Sequence, residues 1–350
     1  MRKFMFFLVA ATISMAAAAQ QTDKQMATLQ HGDKTSVYYG IDAFVQAYND
    51  AADTLDVITL SSGEFNVPTY ISKSIAIYGA GFEKDSVSGI ERTYFNREIT
   101  LKAVWNEEGQ LKNTVNGVHI EGIYSKGSLR VIDAPVHNLE VVKCKFNDIY
   151  IGVDSYDCVV RQCCLDGTVY GKTVTPGRNY EPAVNANNLL IANSYLKYQV
   201  YGFYPSSTLL VDHCLYKGEV GNYISYTPYT FNGSIICQGA PSGSVLTNNI
   251  FVSGGNPSFD DNGNWFGIVN EELWAAEGED GTYAEDKDFK LKYPVKYVDN
   301  DGTEIGLHGG TYAWNKIPCI PRITECTIDT KDAANGTIKL SIKAEAQTKE

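Results

Sequence analysis

The chain has 350 residues, with 41 Asp and Glu against 29 Lys and Arg, so its formal net charge is −12. That excess of acid excludes a general nucleic-acid binder, which needs a basic footprint, and disfavours docking on anionic lipid. With 44% apolar and 20% charged residues, 31 Gly and 23 Tyr, the composition is that of a folded protein rich in strands and turns, not a disordered one.

Residues 1–19 read as a secretory signal. Arg2 and Lys3 form the charged start, Phe4 to Met15 the apolar stretch, and Ala17-Ala18-Ala19 the small-residue cleavage site. The expected location is therefore secreted, periplasmic or cell-surface. No Cys follows the small residues, so the lipobox pattern of a lipoprotein is missing. Beyond the signal there is no apolar run of about 18 residues, so no transmembrane helix is expected.

Tyr39 to Ala52 carries apolar residues at Ile41, Phe44, Val45 and Tyr48. That is helical spacing and predicts one helix over about 39–52, the only convincing one after the signal. A buried strand, Val57 to Leu60, and a second, Ser74 to Tyr78, follow, the latter closed by Gly79-Ala80-Gly81.

The middle of the chain repeats. LEVVKCKF (139–146), CVVRQCCL (158–165), LLIANSYL (189–196), LLVDHCLY (209–216) and SVLTNNIF (244–251) share an aliphatic third position: Val141, Val160, Ile191, Val211 and Leu246. Three residues later comes a small or amide residue (Cys144, Cys163, Ser194, Cys214, Asn249), and two further on a large apolar one. The repeats are 19, 31, 20 and 35 residues apart, with an insertion in the second gap and an extra turn expected in the last. A period near 20 with period-2 strands and no intervening helix predicts an all-β solenoid, with equivalent residues stacked in columns. The predicted helix would cap its first edge.

The eight cysteines stand mostly in apolar strand contexts and read as buried thiols. Cys319 and Cys326 bracket a short turn-like span and form the best candidate disulfide.

The cap helix, the Gly79-Ala80-Gly81 opening, the repeated rungs and the ending resemble the right-handed parallel β-helix, or pectin-lyase-like, superfamily. The most specific piece is Asp288-Phe289-Lys290-Leu291-Lys292 followed by Gly302-Thr303-Glu304-Ile305-Gly306-Leu307-His308-Gly309-Gly310, which is similar to the close of secreted β-helix proteins of gut Bacteroidetes. The resemblance covers about residues 36–316 and implies a parallel β-helix; the expected organisation is a domain of about ten turns over residues 20–316 and a short C-terminal β extension over 317–350. It leaves activity open, since the superfamily holds lyases, hydrolases, esterases and non-catalytic surface proteins.

Familiar chemistry motifs are missing. Asp166 to Thr173 falls one residue short of a P-loop, and the five histidines are scattered. Asp260, Asn262, Asn264 and Glu271 follow calcium-loop spacing, but Trp265 takes the place that demands Gly. They are a weak calcium candidate beside the plainer reading of an acidic solvated loop.

Polysaccharide is the expected partner. Ten aromatics lie between Tyr195 and Phe231, and tyrosine offers sugars an apolar face with a hydroxyl. Aligning the strands that precede each rung places Arg130, Asp154, Asn185 and Tyr204 on one face, beneath an insertion carrying Lys172, Arg178 and Tyr180. Arg130, Asn185, Tyr204 and Tyr180 are the candidate substrate-binding residues. Asp154, Arg178 and Lys172 are the candidate catalytic ones, with Arg178 or Lys172 as the base of a lyase. The strict catalytic signatures of pectate lyases, polygalacturonases and pectin esterases find no match, which favours a glycan-binding or surface-structural role over a polysaccharide lyase or glycoside hydrolase.

Overall fold

The computed structural model describes residues 25–52, 54–86, 89–108, 111–113, 115–132, 135–171, 184–204, 206–218, 229–239, 243–319, 322–328 and 340–345. The expected signal segment, 1–19, and the candidates Lys172, Arg178 and Tyr180 lie outside these residues. No helix among them is long and apolar enough to cross a membrane.

The chain is mostly parallel β-sheet. Three sheets of 13, 11 and 5 strands, here called A, B and C, are visited in turn. One circuit runs His119–Glu121 in A, Ile123–Ser125 in B and Leu129–Ile132 in C; the next begins at Glu140–Val142 in A, paired parallel with the first. This order and pairing are consistent with a solenoid.

The repeat fixes the interior. Ile58, Ile77, Ile120, Val141, Val160, Ile191, Val211, Phe231 and Leu246 stand in one register across sheet A. All are fully buried except Leu246, which packs against the same core. Phe231, on the strand Thr230–Asn232, is the extra rung inside the longest gap.

The small-residue column has its own physics. Between sheets A and B the backbone turns on a single left-handed residue: Lys143, Gln162, Asn193, His213, Gly233 or Asn248, with φ from 45° to 56°. The next side chain then points inward, where it accepts a backbone N–H of the preceding circuit. Cys163 N–H donates to Ser194 Oγ (3.0 Å), Cys214 N–H to Ser234 Oγ (3.1 Å), Ser234 N–H to Asn249 Oδ1 (3.0 Å) and Asn249 N–H to Asn264 Oδ1 (3.0 Å). The turn would otherwise bury an orphan donor in each circuit. Cysteine fits the same slot because it is small and weakly polar: Cys144, Cys163 and Cys214 are free, buried thiols.

The first edge differs from expectation. An antiparallel hairpin, Met26–His31 with Lys34–Tyr39, covers the open edge of sheet A. Tyr39 therefore ends a strand, Gly40 turns the chain at φ 89°, and the helix is shorter than predicted, Ala43–Asp50. Its buried face, Ala43, Phe44, Ala47 and Tyr48, plugs the end of the core, with Phe44 stacked on Phe95 at 5.0 Å.

A second hydrophobic core lies outside the stack. Cys164, Tyr195, Leu215, Ile235 and Ile250 form an outward column on sheet B. The chain after residue 270 folds back over it with Trp274, Phe289, Leu291, Tyr297, Ile305, Leu307 and Trp314. Residues 299–319 then run back along the left-handed turns towards the start of the stack. Gly306 N–H donates to Gly233 O (2.6 Å), Asn193 Nδ2 to the carbonyls of Leu307 (2.9 Å) and Gly309 (2.7 Å), Gln162 Nε2 to Ala313 O (2.5 Å) and Lys143 Nζ to Ile317 O (2.6 Å). We call this segment the strap. Its glycines are steric requirements: a Cβ at Gly309 would lie 1.6 Å from Glu304 O, and one at Gly310 2.8 Å from the His213 ring. Beyond it, Arg322–Ile328 and Leu340–Glu345 pair as an antiparallel hairpin.

Cys319 contradicts the disulfide expectation. It is a free thiol, and its Sγ donates to Glu121 Oε2 at 3.2 Å. Spacing suggested a local turn, whereas the strap carries Cys319 to the far end of the stack. Burial and the Glu121 charge push this thiol up to about 11.

Candidate functional site: the outer face of sheet C

Sheet C strands are short and alternate: Leu129-Arg130-Val131, Ile149-Tyr150-Ile151, Val169-Tyr170-Gly171 and Val200-Tyr201. In each a buried aliphatic precedes a residue that must face outward, because successive side chains on a strand alternate between faces. Register then lines up Thr100, Arg130, Tyr150, Tyr170 and Tyr201. The Arg130 guanidinium sits 4.7 Å over the Tyr150 ring, and its Nε is 2.7 Å from Glu98 Oε2. Tyr150 and Tyr170 stack at 4.8 Å, while Tyr201 meets Tyr170 edge-on at 6.4 Å and 89°. The two stacked rings pack face to face. Tyr201 breaks the stack.

Sequence alignment missed this register. It grouped Arg130 with Asp154, Asn185 and Tyr204, but Arg130 pairs with Tyr150. The slip arises because the turns between sheets differ in length from circuit to circuit. An aliphatic followed by Arg or Tyr, recurring at Leu129-Arg130, Ile149-Tyr150, Val169-Tyr170 and Val200-Tyr201, was the signal that could have found the column.

Asp154, Asn185 and Tyr204 do align with one another. Ser155 pairs with Ala186, and Val184 with Phe203, which brings the three onto consecutive circuits at the turn from sheet C to sheet A. Asp154 is left-handed (φ 52°), Asn185 Oδ1 accepts from Ser206 Oγ (2.5 Å), and Tyr204 is exposed. Arg130 is not of their column but of the neighbouring sheet.

The same edge carries a polar series that sequence reasoning did not single out: Asn116, His137, Tyr156 and Asn187 in register. The His137 and Tyr156 rings stack at 3.7 Å. Beside them, left-handed residues link circuit to circuit, Asn138 Nδ2 donating to Asn116 Oδ1 (2.7 Å) and Asn188 Nδ2 to Asp157 Oδ1 (2.8 Å).

Of the ten aromatics between Tyr195 and Phe231, Tyr195, Phe203, Tyr216, Tyr229 and Phe231 are buried, Tyr198 is half-buried with the Lys197 ammonium 5.2 Å from its ring, Tyr223 and Tyr226 lie outside the described residues, and Tyr201 and Tyr204 reach this face.

The weak calcium group is spread between a turn and the core. Asp260 Oδ1 accepts the N–H groups of Asn262 (3.0 Å) and Asn264 (2.8 Å). The Asn264 side chain points into the stack and ends the interior ladder on Asn249, while Glu271 stands in the short helix Asn270–Leu273.

Spacing alone would let Asp212, His213 and Asp299 hold a metal ion, the one such group among the described residues. Asn232 argues against it. Its Nδ2 donates to both Asp212 Oδ1 (3.0 Å) and Asp299 Oδ2 (2.7 Å). Thr247 Oγ1 and Asn248 Nδ2 donate to its Oδ1 and fix that orientation. An amide NH₂ aimed at both carboxylates occupies their lone pairs and repels a cation.

The chain shows no significant match to any family model, curated protein or solved structure.

Proposed function

We propose that this is a secreted right-handed parallel β-helix of about ten turns, akin to the pectin-lyase-like proteins, and that it binds polysaccharide along the outer face of sheet C and its turn into sheet A. The observation that carries the reading is the column Arg130–Tyr150–Tyr170–Tyr201, flanked by Asp154, Asn185 and Tyr204. Folding specifies the inward residues of such a stack and, on sheet B, the outward ones beneath the chain after residue 270. An outward series of ring, hydroxyl, amide and guanidinium groups on successive circuits matches a repeating ligand. Circuits stack at the strand spacing of about 4.8 Å, of the order of one sugar ring, so an extended glycan along the axis would meet one outward residue per unit.

Binding fits this face better than cleavage. Hydrolysis needs two carboxyl groups about 5–10 Å apart and available to the substrate. Among the described residues Glu98 is engaged by Arg130 (2.7 Å) and Asp157 by Asn188 (2.8 Å). The test is a panel of neutral polysaccharides and polyuronates, scored for retention in affinity gels, for unsaturated ends and for reducing-sugar release. Retention without product supports binding. Product from any polymer would make the protein a lyase or hydrolase, and no retention at all would remove the glycan reading.

A further inference from the structure

We propose that the strap, residues 299–319, is latched to the stack at both ends by histidine–carboxylate clusters, and that the latches open when the two histidines lose their protons. At one end His213 lies between carboxylates: Nδ1 is 3.3 Å from Asp212 Oδ1, and Nε2 is 3.4 Å from Asp299 Oδ2 and 4.0 Å from Asp301 Oδ2. Asp299 and Asp301 belong to the strap, Asp212 to sheet A. Thr303, also of the strap, places its Oγ1 3.4 Å from His213 Nε2. At the other end His119 Nδ1 meets Glu140 Oε2 at 2.8 Å, and its Nε2 meets Glu121 Oε2 at 3.1 Å. Glu121 in turn grips the strap, accepting Cys319 N–H on Oε1 (2.7 Å) and Cys319 Sγ–H on Oε2 (3.2 Å). Tyr78 faces the same histidine at 4.9 Å between rings, and Arg161 and Lys143 are the nearby cations.

Both clusters gather more carboxylates than one neutral imidazole can satisfy. Protonated, each histidine bridges the acids; neutral, it keeps one N–H for them, and at the His213 end the Asn232 amide is then the other donor shared by Asp212 and Asp299. The directions agree with the geometry. Burial opposes the charge on His119, but hydrogen bonds to Glu121 and Glu140 outweigh it and raise its pKa above 6.5. Burial likewise opposes the charge on His213, and Asp212, then Asp299 and Asp301, outweigh it. A raised histidine contributes stability that is complete below its unfolded value and is lost as pH rises through the folded one.

The readout is hydrogen exchange of backbone amides in 299–319, corrected for intrinsic rate, from about pH 6 to pH 9, bracketing the histidine range. Strap protection should fall about tenfold per pH unit for each histidine released, between the ordinary and the raised value, while the sheet A strands keep theirs. Asp301→Asn and Glu140→Gln, at partly exposed side chains, keep both histidines and the fold. Each should end the loss at lower pH and make it smaller, because it lowers only the folded value of its histidine. Strap protection that is flat across this range, or falls only together with that of sheet A, overturns the proposal. So does a loss that neither variant moves.

Discussion

The inside of the stack and the strap on its outside are both tightly packed, yet they are built on opposite principles. Inside, one solution is reused: an aliphatic residue, a left-handed turn and a small hydrogen-bond acceptor recur from Val141 to Asn249. Outside, every contact of the strap is different. Lys143 reaches Ile317, Gln162 reaches Ala313, Asn193 reaches Leu307 and His213 faces Asp299. Repetition makes the interior cooperative along the axis. Singular contacts make the strap a separate unit that can open by itself.

Substitutions at matched depth test that contrast. Val160→Asp should have the largest effect, because it sets an unpaired carboxylate at a fully buried position with neighbours in register on both sides. A loss of about 3–5 kcal/mol is expected, read as collapse of the urea midpoint with all probes moving together. Leu307→Ala, equally buried but in the strap, should cost about 2–4 kcal/mol. Here exchange should rise in 299–319 well before it rises in sheet A. If both variants unfold the whole chain in one step, strap and stack are one unit and the contrast is wrong.

Asn249→Ala removes one acceptor from the interior ladder and leaves the Ser234 N–H buried without its partner. About 1–3 kcal/mol should be lost, with exchange rising first near 234 and 249.

The thiols give the smallest effect and a direct count. Denatured, unreduced protein should titrate eight thiols, since the cysteines with described side chains are all free. Native protein should react slowly, because burial pushes Cys158 up to about 11 and Cys163 up to about 12. A count of six would pair Cys319 with Cys326 and detach Cys319 from Glu121.

The same contrast explains what the sequence disclosed. The rungs were legible because a period near 20 repeats the same demand, so Val141, Val160, Ile191, Val211 and Leu246 could be aligned by eye. Sheet C was less legible: the turns feeding it vary in length, and the face was read two residues out at Arg130. The strap was nearly invisible, since its partners are 151 residues away at Gln162 and 174 at Lys143. Gly306, Gly309 and Gly310 stood out in the sequence without a stated reason. Their reason is steric, the close approach to Ile235, to the Glu304 carbonyl and to the ring of His213.

The functional account rests on the tyrosine column, and its most direct test is the double variant Tyr150→Ala, Tyr170→Ala, examined for polysaccharide retention beside wild type. The stacking contributes about 0.5–1.5 kcal/mol beyond the area the rings bury, so the variant's fold is checked by its melting temperature alongside retention. The account predicts that wild-type protein is retained by at least one polysaccharide and that the variant, still folded, is not. Retention of the folded variant at the wild-type level would contradict it.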